Sequence, residues 1–180
     1  MEHQFTIKVF FRGDWCPWCN AYLRDFNDKA FDEVTALGGR IVGITSQVGN
    51  RSRENNSLRF EVVEDPSNAE AERYDIFITP KDGTPLRDVD GAYEHGMAQP
   101  GVVIEDRNGT VLYRWAIDPN EMNLGGASDR PLVTDIVENL KQILAGGSVG
   151  PLGKTDMSYL ETQHPAQFKI VQDYIASLKG

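Results

Sequence analysis

Residues 5–45 read FTIKVFFRGDWCPWCNAYLRDFNDKAFDEVTALGGRIVGIT, and the order of patterns in this stretch decides the fold. Phe5 to Phe11 is rich in aromatic and β-branched residues, the composition of a strand. Arg12-Gly13-Asp14 breaks that pattern, and Cys16-Pro17-Trp18-Cys19 follows directly. From Pro17 to about Leu37 the apolar residues Tyr22, Leu23, Phe26, Ala30, Val34 and Leu37 recur mainly at spacings of three and four, which predicts an amphipathic helix. Pro17 suits its first turn, where a missing N–H costs nothing. Gly38-Gly39 stops it. Arg40 to Thr45 is short and nearly all apolar, as expected of a buried strand in a parallel pair. The opening is therefore a βαβ unit, with both cysteines where the first strand feeds the helix.

Working outward, Asn50 to Ser57 is polar and reads as a short helix or loop. Arg59 to Val63 reads as a strand ending at Asp65-Pro66, and Asn68 to Tyr74 as a short helix. Residues 79–99 hold turn formers throughout and predict a long connection that can hide a short strand. Val102-Val103-Ile104 and Val111 to Trp115 flank Asp106-Arg107-Asn108-Gly109, a hairpin signature. Asp118 to Gly126 is irregular. Leu132 to Leu144 is a second amphipathic helix, ended by Gly146-Gly147. Beyond a linker rich in Gly, Ser and Pro, Pro165 to Lys179 places Phe168, Val171, Tyr174, Ile175 and Leu178 on one face. That tail helix must cover its stripe, on its own domain or on a second subunit in a homodimer.

Composition removes several classes of function. Lys plus Arg number 18 against 27 for Asp plus Glu, a formal charge of −9 that repels nucleic-acid phosphates and anionic membrane surfaces. No apolar run approaches the roughly 20 residues of a membrane span. Val9-Phe10-Phe11 is followed at once by Arg12, short of the about 7–15 apolar residues of a signal-peptide core, so a cytoplasmic location is expected.

The chain has two cysteines, three positions apart. A ring that small removes little unfolded-chain entropy, so the pair is a poor staple and reads as a reagent. A structural zinc needs four ligands, and His3, His95 and His164 form no ligand-like pair. No metal and no cofactor are expected. The thiolate is the nucleophile, and the unpaired N–H groups and dipole at a helix N-terminus lower a thiol pKa. Cys16 sits at that terminus and is the expected attacking thiol. Cys19, one turn in, resolves the mixed disulfide. Arg12 adds positive potential and Asp14 opposes it, unless the two form a solvated loop pair. Pro17 stiffens the ring, Trp18 can floor the site, and Trp15 reads chiefly as packing.

These residues carry a resemblance. The run FFRGDWCPWCNAYLRDF (10–26) resembles the active-site segment of peroxiredoxin-like proteins of the alkyl hydroperoxide reductase/thiol-specific antioxidant (AhpC/TSA) family. The run QPGVVIEDRNGTVLYRWAI (99–117) is similar to that family's strand–turn–strand segment. The resemblance covers about residues 5–145. It implies a thioredoxin-like fold and a thiol-dependent oxidoreductase. The family pattern F-[FY]-P-x-x-x-T-x-x-C, laid on Phe10 to Cys19, makes Cys19 the peroxidatic cysteine. The thioredoxin pattern W-C-x-x-C makes Cys16 the attacking thiol instead. Arg12 stands where the family has proline, and Pro100 stands where it has a peroxide-binding arginine. Thioredoxin-fold reductases carry a proline there, usually after a cis bond and packed on the cysteines, and Pro100 fits that role. Arg130 is a conceivable replacement for the missing arginine, but residues 115–131 read as loop and packing.

The expectation is an α/β protein with a thioredoxin-like fold, a central mixed sheet flanked by helices and a C-terminal helical appendage. Residues 1–146 form the redox domain; 147–180 form the linker and tail helix. The expected activity is thiol–disulfide exchange on Cys16 and Cys19, with Pro100, Trp15, Pro17, Trp18 and Arg12 in support. Hydroperoxide reduction with Cys19 or Cys16 as peroxidatic cysteine is the alternative, and a non-catalytic binding module a second. The expected partners are a protein or small-molecule disulfide, or a hydroperoxide, together with an external thiol reductant.

Overall fold

The structure, a computed structural model, describes residues 2–81, 91–117, 130–149 and 154–155, and positions 165, 166, 169, 172, 173 and 176. Residues 118–126 and the apolar stripe of the tail helix lie outside the described residues, as does the middle of the 79–99 connection.

The first strand, β1 (Phe5–Phe10), leads to α1 (Pro17–Asp25), a π-helical turn (Phe26–Ala30), α2 (Phe31–Ala36) and β2 (Gly39–Thr45). The single helix expected over 17–37 is thus interrupted by one wide turn. Tyr22, Phe26, Ala30 and Val34 are spaced by four, and all four are buried. Steps of four drift around a helix of 3.6 residues per turn, and a π turn takes up that drift.

Next come α3 (Ser52–Asn55), β3 (Glu61–Glu64), α4 (Ala69–Arg73) and the short antiparallel pair β4 (Ile78–Thr79) and β5 (Met97–Ala98). Strand β5 is the short strand inside the long connection. The hairpin follows as β6 (Gly101–Asp106) and β7 (Val111–Ala116), and then β8 (Arg130–Pro131), α5 (Val133–Leu144) and β9 (Lys154–Thr155). At the hairpin turn the Asp106 carboxylate accepts the N–H groups of Asn108 (2.8 Å) and Thr110 (2.9 Å), and Gly109 takes a φ of +85°.

The main sheet runs β3-β2-β1-β6-β7, with β2 parallel to both β1 and β3, and β6 antiparallel to both β1 and β7. It is mixed, as expected. Alternation along β1 sends Phe5, Ile7 and Val9 to one face, where they pack with Leu23 and Phe26 and with Val133, Ile136, Val137 and Leu140 of α5. Phe10 goes to the other face, with Val42, Ile44, Ala71 of α4 and Tyr74. Lys8, also on that face, is accommodated by pairing: its Nζ lies 2.8 Å from Glu70, 3.1 Å from Glu105 and 2.7 Å from the Tyr74 hydroxyl. Helices therefore cover both faces, and the end of β1 delivers the cysteine loop to the rim between them.

Candidate active site

Cys16 is the N-cap of α1, with extended backbone (φ −83°, ψ 112°) and Pro17 in the first helical position. Its Sγ accepts the Cys19 N–H at 3.4 Å, and its carbonyl accepts the Asn20 N–H at 3.0 Å. The helix end thus presents a donor to Cys16, as its place in the sequence predicted. Both cysteines are free thiols, and both have 0% exposure. The pair lies beneath the surface rather than on a solvated loop.

Two arginines reach the sulfurs. Arg12, 1% exposed, lies in the β1–α1 loop with its Nη1 4.0 Å from Cys16 Sγ and its Nε donating to Gln99 Oε1 at 2.9 Å. It is not part of a solvated loop pair with Asp14. The Asp14 carboxylate instead turns to the next loop, accepting from Gln47 Nε2 at 2.9 Å and from the Arg51 N–H at 3.0 Å. Arg130, 2% exposed, comes from β8, with Nη2 3.5 Å from Cys19 Sγ and Nη1 3.4 Å from the Trp18 carbonyl. Its guanidinium stacks 5.1 Å above the Tyr22 ring, and the Tyr22 hydroxyl donates to the Pro131 carbonyl at 2.6 Å. The reading of residues 115–131 as loop and packing is therefore corrected at Arg130. Strand β8, which holds Arg130, pairs antiparallel with β9, Arg130 opposite Thr155.

The aromatic residues divide as follows. Trp15 packs against the core and donates from Nε1 to the Tyr93 hydroxyl at 2.7 Å; that hydroxyl donates to the Arg12 carbonyl, also at 2.7 Å. Trp18 is buried in the core beside the cysteines. Pro100 is buried at the entry to β6, and its carbonyl accepts the Ile117 N–H at 3.2 Å. The cis bond expected there is absent: every peptide bond among the described residues is trans. The contact that links this strand entry to the site is made one residue earlier, by Gln99. Sequence reasoning missed Gln99, Tyr93 and Tyr22 as parts of the site. No short-range pattern marks them, because each acts across the fold.

Charge is shared unequally between the sulfurs. Burial pushes the Cys16 thiol well above its usual range, reinforced by the Cys19 sulfur beside it and only partly opposed by Arg12 and Arg130. Burial also raises Cys19. There the hydrogen bond from Cys16 and the charges of Arg130 and Arg12 outweigh it, and hold Cys19 well below the usual thiol range. The single N–H given to Cys16 by the helix end favours the opposite assignment. The Arg130 guanidinium, 3.5 Å from Cys19 Sγ, lies closer than that of Arg12, 4.0 Å from Cys16 Sγ, and so tilts the negative charge of the pair towards Cys19. Among the described residues no group of three or more His, Cys, Asp or Glu side chains could hold a metal ion. No helix among them is long and apolar enough to cross a membrane.

A family model described as the AhpC/TSA family matches residues 2–114. A thioredoxin-like protein of Haemophilus influenzae is 26% identical over 85 residues, covering 44% of this chain and 48% of that protein. The match thus spans about half the length of this curated relative. Among solved structures, the reduced 2-Cys peroxiredoxin of Plasmodium vivax is similar, with a TM-score of 0.55 and 13% identity over 79% of this chain and 78% of that one. A hypothetical protein from Sinorhizobium meliloti 1021 gives a TM-score of 0.51 and 16% identity, over 84% and 76% of the two chains. These likenesses agree with the sheet described above, and the fold is thioredoxin-like.

Proposed function

The chain belongs to the AhpC/TSA family, and from that premise we propose that it is a thiol-dependent oxidoreductase that reduces small hydroperoxides. Cys19 is the attacking thiolate and Cys16 the resolving thiol. The observation that carries this reading is Arg130 Nη2 at 3.5 Å from Cys19 Sγ, in a site whose two sulfurs have no solvent exposure. A guanidinium there stabilises the thiolate and can donate to a peroxide oxygen as the O–O bond breaks. A small hydroperoxide enters a buried site more readily than a protein disulfide, which would need the sulfur at the surface.

The Cys19 thiolate attacks the terminal oxygen of the hydroperoxide. An S–O bond forms, the O–O bond breaks, and the alkoxide or hydroxide leaves and takes up a proton. Cys19 is then a sulfenic acid. The Cys16 thiol condenses with it, the Cys16–Cys19 disulfide forms, and water leaves. A small external dithiol, subject to the same limit of access, returns the pair to its reduced state by exchange. A cysteine pair that is reduced again after each turnover suits a reducing compartment, and we place the protein in the cytoplasm.

A second reading, thiol–disulfide exchange begun by Cys16, is favoured by the Cys19 N–H at 3.4 Å from Cys16 Sγ. Single-turnover reaction of the reduced Cys16→Ser and Cys19→Ser variants with hydrogen peroxide or an alkyl hydroperoxide separates the two. The proposal expects Cys16→Ser to consume one equivalent and form a sulfenic acid, and Cys19→Ser to be inert. Retained peroxide reactivity in Cys19→Ser with loss in Cys16→Ser would sink it. Full function of the double variant in cells would instead favour a non-catalytic binding module.

A further inference from the structure

Gln99 has no solvent exposure, yet both polar atoms of its side-chain amide are engaged: Oε1 accepts from Arg12 Nε at 2.9 Å, and Nε2 donates to Thr79 Oγ1 at 2.8 Å. Its own N–H donates to the Phe77 carbonyl at 2.8 Å, which fixes the backbone between β5 and β6. Thr79 belongs to β4, paired with β5 at Met97. Three chain segments therefore meet at one amide, and the group they hold is the Arg12 guanidinium. A guanidinium is a rigid planar fork, so fixing Nε also fixes the direction of its two terminal nitrogens. Nη1 of that fork lies 4.0 Å from Cys16 Sγ.

We propose that Gln99 is a positioning residue, a neutral buried acceptor that aims the charge of Arg12 at the cysteine pair without neutralising it. A carboxylate at the same place would accept the same hydrogen bond and cancel the field that the sulfurs feel. An aliphatic side chain would leave Nε without this acceptor in the interior. Only an amide both orients Arg12 and leaves its charge intact. Arg12 Nε, a donor only, requires Oε1 to face it, and the Thr79 hydroxyl anchors the other end of the amide by accepting the Nε2 hydrogen. Among the described residues, the charged and titratable groups facing the sulfurs are Arg12 from the β1–α1 loop, Arg130 from β8 and Tyr93 from the segment before β5. Gln99 acts on the first of these alone.

This inference rests on the cysteine pair being the redox centre, but its test uses no substrate and so stands or falls apart from peroxide reduction. The reduced full chain is titrated by the pH profile of iodoacetamide alkylation, with thermal unfolding measured in parallel. Gln99→Glu should raise the first thiol pKa of the pair by about one pH unit or more, roughly tenfold less thiolate below that pKa, with unfolding temperature kept. Thr79→Val, which touches no sulfur, should move the pKa the same way by less. A purely structural Gln99 expects a shift in Gln99→Glu, from the added charge alone, and none in the neutral Thr79→Val. Unchanged titration in Thr79→Val, with unfolding temperature kept, therefore overturns the proposal.

Discussion

Arg130 brings a positive charge to 3.5 Å from Cys19 Sγ, whereas Cys16 has Arg12 Nη1 at 4.0 Å and one N–H from the helix end at 3.4 Å. Cys19 is held well below the ordinary thiol range, so its thiolate is favoured and is lost as pH falls through the lowered pKa. Cys16 is held above that range and stays a thiol, ready to donate to the departing oxygen of the sulfenic acid. Removing the charge while keeping length and polarity, as in Arg130→Gln, should raise the Cys19 pKa by about 1–3 units. The loss of reactivity with falling pH then begins higher. At a pH below the original value the peroxide reaction should slow by about 10-fold or more, while at a pH above the raised value the deficit should shrink. A stopped-flow pH–rate profile checks both the shift and its direction.

At the scale of elements, the loop between β1 and α1 is held from outside. Trp15 and the Arg12 carbonyl meet on the Tyr93 hydroxyl, and Gln47 Oε1 accepts the Asp14 N–H at 2.8 Å. Gly13 lies among them. A Cβ there would meet the Tyr93 hydroxyl, with Trp15 Nε1 at 2.7 Å and Gln47 Oε1 at 2.8 Å. Gly13→Ala must therefore displace at least one of these hydrogen-bonded groups. It should cost about 1–3 kcal/mol, as overpacking does, read as a lower urea midpoint with an unchanged slope. Because the displaced loop carries Arg12, the same variant should also lower cysteine reactivity.

Across the whole molecule, the site depends on chain well beyond the residues matched by the family. That match ends at residue 114, yet Arg130 and α5 follow it. Val133, Ile136, Val137 and Leu140 of α5 pack into the same core as Leu23 and Phe26, just below the cysteines. Leu140 is completely buried, and Leu140→Ala should lower the unfolding free energy by about 2–5 kcal/mol in a denaturant titration. The residues after the hairpin are thus part of the folding unit as well as the source of a charged group at the site.

Chain-local patterns carried most of the architecture. Strand Phe5–Phe10, the cysteines at a helix start, the strand to Thr45, the hairpin and helix α5 all follow from periodicity, turn chemistry and capping, because those interactions act within a few residues. The π turn at Phe26–Ala30 was not legible, because the spacings of three and four that it interrupts are those of an uninterrupted helix. What only the tertiary structure decided is the charge on the sulfurs. Arg130 and Cys19 are 111 positions apart and Arg12 and Gln99 are 87 apart, and no local preference specifies such pairs. Burial acts in the same way. It raises both thiols, and folding then decides which of them the guanidiniums rescue. Helix position alone points to Cys16, and the folded charge distribution points to Cys19.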